Sequence, residues 1–180
     1  MATSFPLTDA IFSSPRHTTH YWQAGPAAGP LMIFLHGWPE IGLVWRAQME
    51  VFASEGWHCI APDMRGYGGS SARAAVDSYS LQEIVEDMVE LHNHLGGSPA
   101  IWVGHDLGSP VVGAMAAHHA ERCRGVVFTS VPYMPKAFAL PNICRSSTAS
   151  SIRPISIRTE SGTTSLLPHP TLVLNTPPVK

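Results

Sequence analysis

An α/β fold, a mostly parallel sheet with helices on both faces, is predicted by three observations. Leu31-Met32-Ile33-Phe34-Leu35 is an unbroken apolar run of strand length, as suits a strand covered on both sides. Strand-like and helix-periodic segments alternate along the chain, the mark of parallel βαβ winding. Gly104-His105-Asp106-Leu107-Gly108 lies between the apolar run Ala100 to Val103 and a small-residue run opening with Ser109-Pro110-Val111-Val112-Gly113. That order reads as strand, sharp turn and helix.

Thr8 to Phe12 and His17 to Trp22 are β-prone stretches separated by Ser13-Ser14-Pro15 and closed by Gly25-Pro26, which predicts a hairpin at the sheet edge. Leu31 to Leu35 follows as a central strand and runs into His36-Gly37-Trp38-Pro39-Glu40. Pro39 restricts Trp38 and can take the cis form, so this loop is rigid enough to aim backbone N–H groups into a site. Trp38 alone reads equally well as a loop aromatic covering the core. Val44 to Phe52 carries Trp45, Met49 and Phe52 at helical spacing and stops at Gly56. A strand from Trp57 to Ala61 then ends in Pro62-Asp63-Met64-Arg65-Gly66-Tyr67-Gly68-Gly69-Ser70, a glycine-rich loop without the order of a phosphate cradle.

Ser80-Leu81-Gln82-Glu83 is a capping box, with Tyr79 and Ile84 available as a hydrophobic staple. Leu81, Ile84, Val85, Met88, Leu91, His92 and Leu95 form one face of the helix that follows, and Gly96-Gly97 end it. Glu83, Glu86, Asp87 and Glu90 read as a solvated acidic face. After the Ala100 strand a helix is expected from about Ser109 to Cys123, where Gly113, Ala114, Ala116 and Ala117 permit close packing, and then a last strand from Gly125 to Val131.

At the elbow, glycines two before and two after Asp106 let strand and helix approach closely, and the central side chain is presented rather than buried. A carboxylate so presented implies a nucleophile that makes an ester with its substrate. The alternative is an ordinary strand-end turn with an aspartate helix cap. Sites in such sheets lie at the carboxyl ends of strands, where the His36 loop, the Asp63 loop and Asp106 all fall.

The chain's 180 residues, net charge of -2 and 44% hydrophobic content suit one soluble domain. With no basic cluster there is no electrostatic reason to expect nucleic acid or an anionic membrane as partner. No apolar run approaches the ~20 residues of a membrane span, and Met1-Ala2-Thr3-Ser4-Phe5 lacks the features of a secretory signal, so a cytoplasmic location is expected. Cys59, Cys123 and Cys144 are odd in number and far apart, which predicts free thiols. His92-Asn93-His94 and His118-His119 lack a third ligand at suitable spacing, so no metal is expected. The ten histidines read as residents of solvated helix faces.

His36-Gly37-Trp38-Pro39-Glu40, Asp63-Met64-Arg65-Gly66-Tyr67-Gly68 and Gly104-His105-Asp106-Leu107-Gly108-Ser109-Pro110 together resemble, in order and spacing, the epoxide hydrolases of the α/β-hydrolase fold. The likeness covers roughly Phe5 to Pro135, the amino-terminal part of such an enzyme. It implies that Asp106 attacks an epoxide carbon, that water cleaves the resulting ester to a vicinal diol, and that the backbone N–H groups of Trp38 and Leu107 form the oxyanion hole. His36, Gly37, Pro39 and His105 would be the scaffold of the site, with His105 packing rather than exchanging protons. The implied partner is a small-molecule epoxide, and no cofactor is implied.

Leu107 departs from the resemblance, since a tryptophan commonly follows the aspartate there; without an indole donor for a leaving halide, a haloalkane dehalogenase is the weaker alternative. The resemblance also implies a histidine and an acid after the nucleophile. Beyond Asp106 the sequence has only Glu121 and Glu160, and only His118, His119 and His169. His118 and His119 fall about 18 Å along the helix axis from Asp106 at 1.5 Å per residue. His169 in Leu167-Pro168-His169-Pro170 lacks a strand-end setting, and neither Tyr67 nor Tyr133 matches the tyrosines of a cap. The expected organisation is therefore 1-138, an amino-terminal hydrolase segment truncated before the cap and last strands, and 139-180, a divergent Ser/Thr/Pro-rich tail too poor in apolar residues to order itself. An altered reading frame or retained intron would explain such a tail; a non-catalytic form with an interaction tail is the other reading. Poor solubility follows from an uncovered last strand.

Overall fold

The computed structural model describes residues 5–131. Six strands, β1 (Thr8–Ser13), β2 (Thr18–Ala24), β3 (Leu31–Leu35), β4 (His58–Pro62), β5 (Ala100–His105) and β6 (Cys123–Thr129), form one sheet in the order β1-β2-β4-β3-β5-β6. β1 pairs antiparallel with β2 and β2 with β4, while β3 pairs parallel with β4 and β5, and β5 with β6. The predicted edge hairpin and central β3 are both present. Helices α1 (Arg46–Ser54), α2 (Leu81–His94) and α3 (Gly108–His118) cover the sheet.

The apolar run of β3 has no polar side because both its faces are covered. Leu31, Ile33 and Leu35 pack with Met88 and Leu91 of α2 and Val111 and Met115 of α3. Met32 and Phe34 point the other way, against Met49 and Ala53 of α1. Each such buried side chain contributes about 1.5–3 kcal/mol over an exposed one. Among the described residues no helix is long and apolar enough to cross a membrane.

Several elements differ from expectation. The Val44 helix is a 3₁₀ turn, Gly42–Trp45, running into α1. β4 and β6 are shifted from Trp57 to Ala61 and from Gly125 to Val131, and α3 ends at His118 before another 3₁₀ turn, Ala120–Arg122. Ala117 of α3 faces outward, so the close packing rests on Gly113, Ala114 and Ala116. The capping box is half formed: Ser80 Oγ accepts the Glu83 N–H at 3.3 Å, but the Ser80 N–H donates to the Asp77 carbonyl.

The missing half has a cause. The Glu83 carboxylate accepts from Arg16 Nη1 at 2.6 Å, and Glu90 accepts from Arg16 Nε at 3.0 Å. Asp87, 1% exposed, accepts from Arg65 Nε at 2.7 Å and Nη2 at 2.6 Å, and from Arg16 Nη2 at 2.9 Å. The predicted solvated acidic face is thus a clamp on two arginines, one from the β1–β2 turn and one from the loop after β4. The histidine reading is corrected likewise: His17, His36 and His92 are buried, and burial pushes each below the usual imidazole range. The boundary at 138, the tail 139-180, Tyr133, Cys144, Glu160 and His169 lie outside the described residues.

Candidate active site

Asp106 occupies the turn between β5 and α3 at φ 47°, in the left-handed region that few side chains other than asparagine and aspartate adopt. The elbow is this sharp because its glycines touch the neighbouring backbone. A Cβ on Gly104 would stand 2.6 Å from the Gly108 carbonyl oxygen, and one on Gly108 would stand 2.4 Å from that of Leu35. The end of β6 braces the turn: the Asp106 N–H donates to the Thr129 carbonyl at 3.3 Å, and Ser109 Oγ donates to the carbonyls of Gly104 and Thr129.

Two backbone donors converge on the Asp106 carboxylate. The Trp38 N–H donates to Oδ1 at 3.0 Å, and together with the Leu107 N–H it holds the carboxyl below its ordinary range. The third residue of this contact is Gly37, where a Cβ would come within 2.5 Å of the Asp106 Cβ. Only glycine lets the loop after β3 press so closely on the carboxylate. Trp38 joins Pro39 through a cis peptide bond, and its indole is 68% exposed, so it does not cover the core. Leu107 is also exposed, giving the carboxylate two apolar neighbours whose backbones, not side chains, hold it.

His36 is fully buried and fixed in one tautomer. Its Nε2 accepts the Met64 N–H at 3.0 Å, so its Nδ1 carries the proton donated to the Gly37 carbonyl at 2.8 Å. The Asp63 loop therefore supports the site through Met64 and His36 rather than through its acid. The Asp63 carboxylate is turned elsewhere, accepting from the N–H groups of Gly42 and Gly69 and pairing with His20 Nδ1 at 2.8 Å.

His105 packs edge-on against Trp45, and its Nδ1 also lies 3.1 Å from Glu40 Oε2. The same Glu40 oxygen accepts the Gly37 N–H at 3.3 Å. Glu40, absent from the predicted set, ties the loop to the residue before Asp106; its position in His36-Gly37-Trp38-Pro39-Glu40 was the available signal. Asp106, Trp38, Leu107, Gly37, His36 and His105 thus meet at one place, with exposed Pro39 beside them. No group of three or more potential metal ligands occurs among the described residues. The arrangement offers a carboxylate oxygen to solvent and two N–H groups able to hold negative charge beside it.

Residues 30–145 match the family described as alpha/beta hydrolase fold. The chain is 41% identical over 119 residues to epoxide hydrolase A of Mycobacterium tuberculosis, covering 66% of this chain and 37% of that protein. It is 38% identical over 125 residues to bifunctional epoxide hydrolase 2 of Sus scrofa, covering 69% of this chain and 22% of that protein. The crystal structure of epoxide hydrolase A from Mycobacterium thermoresistibile superposes with a TM-score of 0.68 at 33% identity, over 71% of this chain and 40% of the other. An epoxide hydrolase from Vigna radiata gives a TM-score of 0.68, also at 33% identity, over 71% of this chain and 39% of its own. The chain thus spans well under half the length of these relatives.

Proposed function

The chain belongs to the alpha/beta hydrolase fold family, and on that premise we propose that it carries the nucleophile half of an epoxide hydrolase site, with Asp106 as the attacking group. The observation that supports this reading is the Asp106 carboxylate, left open to solvent at the elbow while the N–H groups of Trp38 and Leu107 face it.

In the first step an Asp106 oxygen attacks an epoxide carbon, the ring C–O bond breaks, and the ring oxygen takes a proton from water. The product is a hydroxyalkyl ester. When water attacks the ester carbonyl, the charge that develops on its oxygen is stabilised by the two N–H groups, as donors fixed in place stabilise it best. Cleavage returns the carboxylate and releases a vicinal diol. Leu107 has no side-chain donor for a halide, which favours epoxide opening over dehalogenation.

The second step needs a base to take a proton from water. Among the described residues His36 is committed to Met64 and Gly37, and His105 to Glu40, while His118 ends α3. The 180-residue chain is therefore expected to stop at the ester. Incubation with styrene oxide, followed by intact mass and diol analysis, tests this. One retained adduct per chain, absent in Asp106→Asn, is expected, without sustained diol formation. An adduct of equal yield in Asp106→Asn would remove Asp106 as nucleophile, and multiple turnover would overturn the arrest.

A further inference from the structure

We propose that Glu40 is a positioning residue that sets the direction of the Trp38 N–H, one of the two donors on the Asp106 carboxylate. Its kinetic consequence rests on Asp106 being the nucleophile; the geometry stands without that reading.

Trp38 donates through the Gly37–Trp38 peptide, a rigid plane whose C=O and N–H point to opposite sides. Whatever holds the Gly37 carbonyl therefore aims the Trp38 N–H. Two donors hold that carbonyl, His36 Nδ1 at 2.8 Å and the Glu40 N–H at 3.0 Å. On the far side of the same plane the Trp38 N–H reaches Asp106 Oδ1 at 3.0 Å. Glycine restricts the rotation of its own peptides less than any other residue, so the restraint has to come from these contacts.

Glu40 grips Gly37 at both ends. Its backbone N–H holds the carbonyl, and its Oε2 accepts the Gly37 N–H at 3.3 Å. The same oxygen lies 3.1 Å from His105 Nδ1, on the residue before Asp106. An ionised carboxylate only accepts, so His105 Nδ1 carries the proton of that bond. One side-chain oxygen thus ties the loop that carries the donor to the turn that carries the acceptor. Gly37 is buried, and its N–H left without an acceptor is costly enough for the loop to turn and seek another.

The test compares Glu40→Ala, Glu40→Gln and Asp106→Asn in the 180-residue chain, reading the Trp38 amide proton by NMR near pH 7. A bond to a carboxylate places this resonance downfield of its position in Asp106→Asn. Glu40→Ala should move it upfield by at least half the Asp106→Asn displacement. Glu40→Gln keeps an acceptor for the Gly37 N–H without the charge and should recover most of that loss. After alkylation with styrene oxide, hydroxide cleavage of the Asp106 ester should slow about tenfold in Glu40→Ala, since a misaimed donor stabilises the developing charge less. An unchanged Trp38 resonance in Glu40→Ala overturns the proposal, and so do equal displacements in Glu40→Ala and Glu40→Gln, which would make the effect one of charge. If the wild-type chain forms no adduct, the nucleophile reading falls, and the amide comparison alone decides the role of Glu40.

Discussion

Asp63 and Asp106 follow β4 and β5, the two strands flanking β3, yet the fold puts them to opposite uses. Asp63 is 1% exposed, and its oxygens are occupied by the N–H groups of Gly42 and Gly69 and by the His20 ring, so it joins three segments of the chain. Among the described residues the Asp106 carboxylate accepts from the two adjoining N–H groups, and it keeps access to solvent. Both are strand-end aspartates with backbone donors. What separates the structural acid from the proposed nucleophile is the number of acceptor positions the fold leaves unfilled.

The largest expected difference is in stability. Asp63→Ala frees two buried N–H groups and His20 at once and should cost about 3–5 kcal/mol, as for other broken buried polar networks. Asp106→Ala should cost less, about 1–2 kcal/mol, because the lost bonds lie at a partly exposed site and alanine fits the positive φ less well than aspartate. Chemical denaturation of the two variants measures both; equal losses would erase the distinction.

The glycines beside each acid sharpen it. Gly37→Ala places a methyl 2.5 Å from the Asp106 Cβ and should displace the carboxylate. Since a 1 Å misplacement can cost about 10²-fold in rate, adduct formation should fall by about that factor with little change in melting. Gly68→Ala, at φ 51° and with its methyl 1.9 Å from Asp63 Oδ2, should instead lower the melting temperature and leave the adduct rate of the folded chain unaltered.

pH separates the two roles as well. Burial pushes His17, His36, His58 and His92 below the usual imidazole range. The unfolded chain therefore binds more protons near and below about pH 6.5, so stability is complete above that value and declines as pH falls through it. Asp106 shifts the opposite way in consequence: held down by Trp38 and then Leu107, it stays ionised to below its ordinary value of about 3.9. Adduct rate per folded chain should stay flat from about pH 8 to 5 while the melting temperature falls. Smallest of all, Trp38→Phe should alter stability by less than about 0.5 kcal/mol and leave adduct formation intact, since the donor is backbone.

The parts of the fold written in local pattern were legible in the sequence. The β3 run, the α2 face from Leu81 to Leu95 and the glycines around Asp106 each carry a period or a steric demand within a few neighbours. The charged cluster was not, because Glu83, Asp87 and Glu90 show only acids on α2, whereas Arg16 and Arg65 arrive from turns 67 to 74 and 22 residues away. Buried His36 and His92 escaped for the same reason: their partners, the Met64 N–H and the guanidinium of Arg122, are contributed by distant segments. Asp63 lay in a quoted motif, but only the three-dimensional path of Gly42 and Gly69 reveals that its carboxylate is spent.

The most direct measurement is to treat the chain with styrene oxide at pH 7 and locate the ester by peptide mass mapping. Modification confined to the peptide bearing Asp106, with the Asp63 peptide untouched, is the predicted result. Modification spread over exposed carboxylates such as Asp9 and Glu50, or absent from Asp106, would contradict it.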